Sequence, residues 1–291
     1  MTENMPTGVP GTAEGTSTPA AVGEGPLAAA LAYEGVSFSY QAGVPFIEGL
    51  SAMMPRGMVT SIIGPNGCGK STLVKLASGL LRPAAGEVSV AGRPVASLGA
   101  RERARLLAVL VQTARPAPMT VEALVECGRH PHRGFGARPT AEDRRLVEEA
   151  LELAGVARFR HHDVRRLSGG ERQRAYLAMT LAQNTDLIVL DEPTTYLDVS
   201  ACHDLMALAR SLNRDEGKTV AMVIHDIDLA LRYSDWLVVM ERGCVVACGP
   251  VAEVLAAGAI ERVFSVDVCP FDRPGAPAGA GRAYALYPRH C

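Results

Sequence analysis

Gly64-Pro65-Asn66-Gly67-Cys68-Gly69-Lys70-Ser71-Thr72 fits the pattern G-x-x-x-x-G-K-[ST] at every position, and its flanks decide what the match is worth. Upstream, Met58-Val59-Thr60-Ser61-Ile62-Ile63 reads as a short buried strand. Downstream, Thr72 to Ser78 reads as a helix stopped near Gly79. Strand, glycine-rich loop and helix together form an anion cradle. The glycines let backbone N–H groups turn inward with no Cβ in the way. The helix N-terminus adds unpaired donors and a partial positive charge. Lys70 offers a cation to β- and γ-phosphates, and Ser71 a hydroxyl to Mg²⁺. A glycine-rich turn with an accidental lysine would not come with both flanks. The stretch points to a nucleoside triphosphate, contacted by Gly64, Pro65, Asn66, Gly67, Cys68, Gly69, Lys70, Ser71 and Thr72.

The same chemistry continues further along. Leu187 to Glu192 reads as an apolar strand that delivers Asp191 and Glu192 at its carboxyl end, where open α/β sheets bind their ligands. Asp191 suits Mg²⁺, directly or through water, and Glu192 suits the polarisation of an attacking water. Leu167-Ser168-Gly169-Gly170-Glu171 sets a hydroxyl and two glycine amides at the head of the helix that continues Arg172-Gln173-Arg174-Ala175, a second anion site.

The whole chain bounds the rest. At 291 residues it has room for one large α/β domain or two small ones. A net charge of −2 leaves no nucleic-acid footprint. No apolar run approaches the roughly 18–20 residues of a membrane span, and no signal segment opens the chain. The seven cysteines are scattered, odd in number and without a C-x-x-C pair, so neither a disulfide framework nor a zinc site is indicated. His130, His132 and the pair His161-His162 lack supporting ligand spacing and read as surface or packing residues.

Composition also divides the chain. Residues 1–28 are Gly, Thr, Pro, Ala and Glu without periodicity, a disordered tail by composition. Val36 to Tyr40 and Phe46 to Met53 read as strands, Gly86 to Gly92 as another, Arg101 to Arg105 as a charged helix, and Leu107 to Val111 as a buried strand ending at Gln112. From about 113 to 166 strand signals vanish and helical patches take over. Asp143 to Ala154 puts Leu146, Val147, Ala150, Leu151 and Ala154 on one face, with Gly155 as its stop. Continuous apolar strands return at 187–190 and 219–224, as in a sheet covered on both faces. Glu241-Arg242-Gly243 is a hairpin signal between two more strands. Beyond Phe264 the chain is rich in Pro and Gly, with one short strand near Ala283–Leu286.

With phosphate loop, Leu167–Glu171 and acidic strand in this order, the chain resembles the ATP-binding-cassette (ABC) ATPases over about residues 31–260. The resemblance implies an α/β P-loop NTPase core with an antiparallel β subdomain and an inserted all-helical subdomain. The expected organisation is a tail over 1–28, the ATPase domain over 29–260 with its helical subdomain at about 113–166, and a C-terminal extension over 261–291. It also implies residue roles. Tyr40 stacks on adenine; Gln112 reaches Mg²⁺ and senses the membrane partner; Asp198 crosses the dimer interface; His225 is the switch histidine near the γ-phosphate. Lys70, Gln112, Glu192 and His225 are then the catalytic set, and Ser71, Gln112 and Asp191 the metal set. Two copies would sandwich two ATP molecules, each between one copy's phosphate loop and the other's Ser168, Gly169, Gly170 and Glu171. Glu171 departs from the commoner glutamine, a change expected to be tolerated.

Gly128-Arg129-His130-Pro131-His132 and Asp191-Glu192-Pro193-Thr194-Thr195-Tyr196-Leu197-Asp198 look like the ATPase subunits of importers for ferric siderophores, haem and cobalamin. His161 to Arg166 lacks the Thr-x-Val-Gly-x-x-Gly pattern of many exporters. The resemblance implies a homodimer on the cytoplasmic face of the membrane. It would grip a separate permease and reach a substrate-binding protein only through it. A soluble cassette acting on DNA or ribosomes would carry coiled coils, zinc modules or two cassettes. A purely regulatory nucleotide-binding module would not need Glu192 and His225.

Overall fold

The computed structural model describes residues 27–41, 43–111, 116, 118–134, 136–271 and 283–289. Strand β1 (Ala29–Phe38) pairs antiparallel with β2 (Ile47–Pro55) on one side. On its other side lies β4 (Ala85–Val90), which continues to the two-residue β5 (Arg93–Pro94). Between these come β3 (Val59–Ile63), the phosphate loop and helix α1 (Lys70–Ala77). β1 starts well before the alternating stretch at Val36 because Ala30 to Tyr33 are buried on both faces, which erases the period of two that marks a half-exposed strand.

After α2 (Ala100–Leu106) and β6 (Leu107–Leu110) the chain turns helical. Helix α3 (Val121–Cys127), a 3-10 turn at His130–His132 and α4 (Ala141–Leu153) lead to two further 3-10 turns. These elements pack on α5 (Gly169–Ala182), the helix headed by Ser168. The apolar face read from the sequence of α4 is the buried one, with Leu146, Val147, Ala150 and Leu151 all inside. The helix begins at Ala141, because Thr140 and Asp143 close a capping box ahead of the apolar face.

The α/β texture resumes with β7 (Leu187–Asp191), α6 (Val199–Glu216), β8 (Thr219–Val223), α7 (Ile227–Tyr233) and the hairpin of β9 (Trp236–Glu241) and β10 (Cys244–Pro250). The main sheet runs β10-β9-β3-β8-β7-β6, parallel except for β10. Its central strands are buried at every residue, and the pleat sorts them. Ile188 and Leu190 of β7 face α5 and α6, while Leu187 and Val189 face α1 and the antiparallel sheet.

The end of the chain adds α8 (Val251–Ala256), α9 (Ala259–Phe264) and a ribbon of β11 (Val266–Phe271) with β12 (Ala283–Pro288). Val266, Val268, Tyr284 and Leu286 pack with α7, α8 and α9 over Ile63, Leu237 and Val239. β11 gives no local strand signal, for Pro270 interrupts it and its partner lies beyond a Pro/Gly-rich stretch.

Candidate functional site

Parallel register brings the chemistry to one end of the sheet. Ile62 of β3 pairs with Val223 of β8, and Val223 with Asp191 of β7. Gly64, His225 and Glu192 therefore leave three adjacent strands at the same level, at the carboxyl end.

The phosphate loop sits on the β9–β10 hairpin. A Cβ on Gly64 would come within 2.4 Å of the Met240 carbonyl oxygen and 2.7 Å of Cys68 Sγ, so only glycine fits there. The Gly243 N–H donates to the Cys68 carbonyl at 3.0 Å, fastening the loop from behind. Asn66 and Gly67 form the exposed crest, while Cys68 is buried and burial pushes its thiol pKa up. Lys70 is only 5% exposed and lies back along the loop, donating to the carbonyls of Gly64 at 2.7 Å and Pro65 at 3.0 Å. Helix α1 begins at that lysine with no side-chain cap and no acid in its first turn, so its amides are left for an anion.

Next to the loop, the Ser71 hydroxyl donates to Asp191 Oδ1 at 3.0 Å. Asp191 is 4% exposed, and burial, with Glu192 beside it, raises its pKa against the pull of Ser71 and the two lysines. Glu192 carries a left-handed φ of 51°, a strain of order 1–3 kcal/mol of the kind that collects at working sites. Its Oε1 lies 2.7 Å from His225 Nε2, and Thr195 Oγ1 reaches Oε2 only at 3.5 Å. Tyr40 bonds Thr72 through the two hydroxyls at 2.9 Å, and its ring meets Phe38 and Phe46 edge-on. That leaves Tyr40 55% exposed beside the loop.

Ser168, Gly169, Gly170, Glu171 and Asp198 gather elsewhere. With Gly155, Arg158, Arg174, Tyr196 and Leu197 they line an open pocket of about 590 Å³ that contains no residue of the phosphate loop. Ser168 caps α5: its hydroxyl donates to Glu171 Oε2 at 2.8 Å, its N–H donates to the same oxygen at 3.0 Å, and the Glu171 N–H donates back to the hydroxyl at 3.3 Å. Asp198 caps α6, accepting from the Ala201 N–H at 2.8 Å. Gln112 lies outside the described residues.

Long-range contacts also mount α5, and nothing local in the sequence announces them. Gly128 lets the chain pass 2.2 Å, measured from an added Cβ, from the Met179 carbonyl oxygen. Arg129, buried, donates to Asp143 Oδ1 at 3.0 Å and to the carbonyls of Ala182 at 2.8 Å and Gln183 at 3.2 Å. His132 Nε2 lies 2.9 Å from the Gln183 carbonyl, and burial holds the His132 pKa down. Arg101 and Arg105 of α2 both donate to the Pro131 carbonyl. The segment Gly128–His132 thus ties α5 to α2 and α4. Among the described residues, no three His, Cys, Asp or Glu gather as a metal cage, and no helix is long and apolar enough to cross a membrane.

A phosphate loop bonded to an acidic strand end, with a capped glycine pair on a separate patch of the same chain, is the layout of an ATP-binding cassette. The chain belongs to the ABC transporter family, whose model matches residues 47–195, and it is an ATP-binding ATPase. It is 42% identical over 223 residues to the iron(3+)-hydroxamate import ATP-binding protein FhuC of Bacillus subtilis (strain 168), covering 76% of this chain and 82% of that one. It is also 42% identical over 228 residues to the ferric enterobactin transport ATP-binding protein FepC of Escherichia coli (strain K12), covering 78% and 84%. The dimeric structure of MJ0796, a bacterial ABC transporter cassette, matches with a TM-score of 0.70 at 29% identity, over 76% of this chain and 98% of that chain. MJ0796 bound to ADP and Pi matches with a TM-score of 0.68 at 30% identity, over the same 76% and 98%.

Proposed function

We propose that two copies of this chain close around two ATP molecules on the cytoplasmic face of a membrane and drive uptake of a metal chelate through a separate permease. A substrate-binding protein would reach the cassette only through that permease. The import reading rests on the siderophore and cobalamin import relatives. The observation that carries the dimer reading is the separation of the Ser168–Glu171 pocket from the phosphate loop. Each is half of a triphosphate site, and only a second copy supplies the other half. The domain organisation proposed with it is a tail over 1–28, the ATPase domain over 29–260 with helices at about 113–166, and an extension over 261–291.

In this reading Gly64 to Thr72 wrap the phosphates, and Lys70 turns from its loop carbonyls to the β- and γ-oxygens. Tyr40 offers its exposed ring to adenine. His225 holds Glu192 Oε1, leaving Oε2 to accept a proton from the water that attacks the γ-phosphorus. Asp198 crosses to the other copy from its post at the head of α6. Ser71 and Asp191 fit Mg²⁺, for they present a hydroxyl and a buried carboxylate to a hard cation that takes its remaining ligands from phosphates and water. When bound, Mg²⁺ neutralises charge on the β- and γ-oxygens. Gln112, added to this set by the family resemblance, would offer its side-chain oxygen to the same cation and report on the permease.

Ser168→Arg and Lys70→Ala test the pairing. Each homodimer should be inactive, the first because bulk blocks closure over the partner's γ-phosphate, the second because its phosphate cation is gone. A mixed dimer has one site with both lesions and one with neither, so ATPase activity should return on mixing. Loss of ATP binding by the lone Ser168→Arg monomer would sink the composite site.

A further inference from the structure

The head of α5 is occupied from within. A serine hydroxyl has one proton, and that of Ser168 goes to Glu171 Oε2 at 2.8 Å. The same oxygen takes the Ser168 N–H, so the carboxylate stands beside the positive end of the helix, where it competes electrostatically with any foreign anion drawn to the same end. Both bonds, the backbone one first, hold the Glu171 carboxyl below the usual range against desolvation, with help from the charges of Arg158 and His162. The residue is therefore an anion throughout the neutral range. Arg158 lines the same pocket, exposed, its guanidinium 4.6 Å above the Phe159 ring.

We infer that Glu171 is a brake on closure. It holds the Ser168 proton and the anion position at the head of α5, and must release both, turning toward Arg158, before the partner copy's triphosphate can dock. This rests on the composite-site reading above. Glutamine at 171 would keep the capping box, since its carbonyl oxygen accepts the Ser168 N–H as a carboxylate does. It would remove the negative charge facing the incoming phosphate and weaken the hold on the hydroxyl proton, since a neutral amide oxygen accepts less strongly than a carboxylate. The carboxylate therefore sets how much ATP is needed to close the dimer, independently of how tightly the phosphate loop holds it.

The test uses the full chain with Glu192→Gln to trap closed dimers, read by gel filtration across an ATP titration. Adding Glu171→Gln should lower the ATP concentration for half-dimerisation about tenfold, a change of 1.4 kcal/mol. Thermal unfolding of the two proteins should differ only slightly, because both keep the cap and only its charge is lost. Arg158→Ala should raise that concentration when Glu171 is present and leave it unchanged beside Glu171→Gln. An unmoved or higher midpoint with Glu171→Gln, or an Arg158→Ala effect equal in both backgrounds, overturns the brake. A Glu192→Gln parent that never dimerises with ATP overturns the composite site, and the brake with it.

Discussion

The N-termini of α1 and α5, both assigned to phosphate in the proposed function, are built in opposite ways. α1 rises from the buried strand β3 through glycines, begins with a lysine, and has no side-chain cap. α5 is closed by its own serine and glutamate, and its rigid mounting is at the far end, where Arg129 and His132 hold the carbonyls of Ala182 and Gln183. An open helix head with a cation beside it can bind a triphosphate alone. A head partly capped by its own chain, with an anion already beside it, is a weaker receptor for a free nucleotide. In the proposed dimer this contrast would make one end the receptor for ATP and the other the sensor of a loaded partner.

The largest effect should come from removing the chemistry while keeping both ends. Glu192→Gln retains shape and loses the acceptor that His225 orients at 2.7 Å. Hydrolysis should fall about 10²–10⁴-fold, the worth of a positioned base, with ATP affinity near wild type. Phosphate release and nucleotide binding, measured side by side, check it. Turnover at the wild-type rate would move the base elsewhere and leave Glu192 as a strained bystander.

The mounting of α5 comes next. Arg129→Met strands the buried Asp143 and frees the last carbonyls of α5, and breaking such a pair typically costs about 3–5 kcal/mol. Urea denaturation should show that loss. ATP binding at α1, measured below the unfolding transition, should survive, because α1 belongs to the sheet and its loop. Loss of both together would mean that the two ends share one mounting.

How much of this could be read from residues alone follows the range of the interactions. The phosphate loop, β3 and α1 are adjacent in sequence, so Gly64 to Ala77 states its own structure. β7 and β8 are legible for the same reason, as unbroken apolar runs ending in Asp191 and Ile224. What escaped depends on distant partners. Arg129 meets carbonyls 53 and 54 residues away, and the hairpin at Gly243 fastens Cys68 across the fold. β11 is a strand only because β12 lies beside it. The capping bond between Ser168 and Glu171 spans three residues and was within reach, as an S-x-x-E pattern at a helix head. Its consequence was hidden, since the pattern does not say that the capped end is also the docking end.

Lys70→Ala sharpens the receptor side. Removing a charge-assisted partner of the phosphates should weaken ATP binding by the monomer roughly 10–100-fold, the worth of about 1.5–3 kcal/mol. Isothermal titration with the isolated chain measures it. The head of α5 should be untouched, so this variant should still complement Ser168→Arg in a mixed dimer. A monomer that binds ATP as well without Lys70 would give the receptor role to the loop amides alone.

The smallest effect isolates capping from docking. Thr140 and Asp143 make at α4 the same box that Ser168 and Glu171 make at α5, but α4 faces no proposed nucleotide site. Thr140→Ala should lower stability by about 1 kcal/mol, as for a lost N-cap, and leave ATP-driven dimerisation alone. Its pH dependence is fixed by Asp143. Burial opposes ionisation there, but the Thr140 N–H and hydroxyl and the Arg129 guanidinium outweigh it and bring the carboxyl to about 2. A carboxyl lowered on folding stabilises above its unfolded pKa and loses that stability as pH falls through its folded one. Without the Thr140 hydroxyl the folded pKa of Asp143 moves back toward its ordinary value. The deficit of Thr140→Ala should therefore be full at neutral pH and shrink as acid protonates Asp143 in both proteins. Thermal melts from neutral pH downward read it, and a deficit that grew on acidification would mean that Asp143 is not held by the cap. If Thr140→Ala also shifted the ATP midpoint of dimerisation, any loss of helix capping would mimic the brake, and the case for Glu171 acting through its charge would fail.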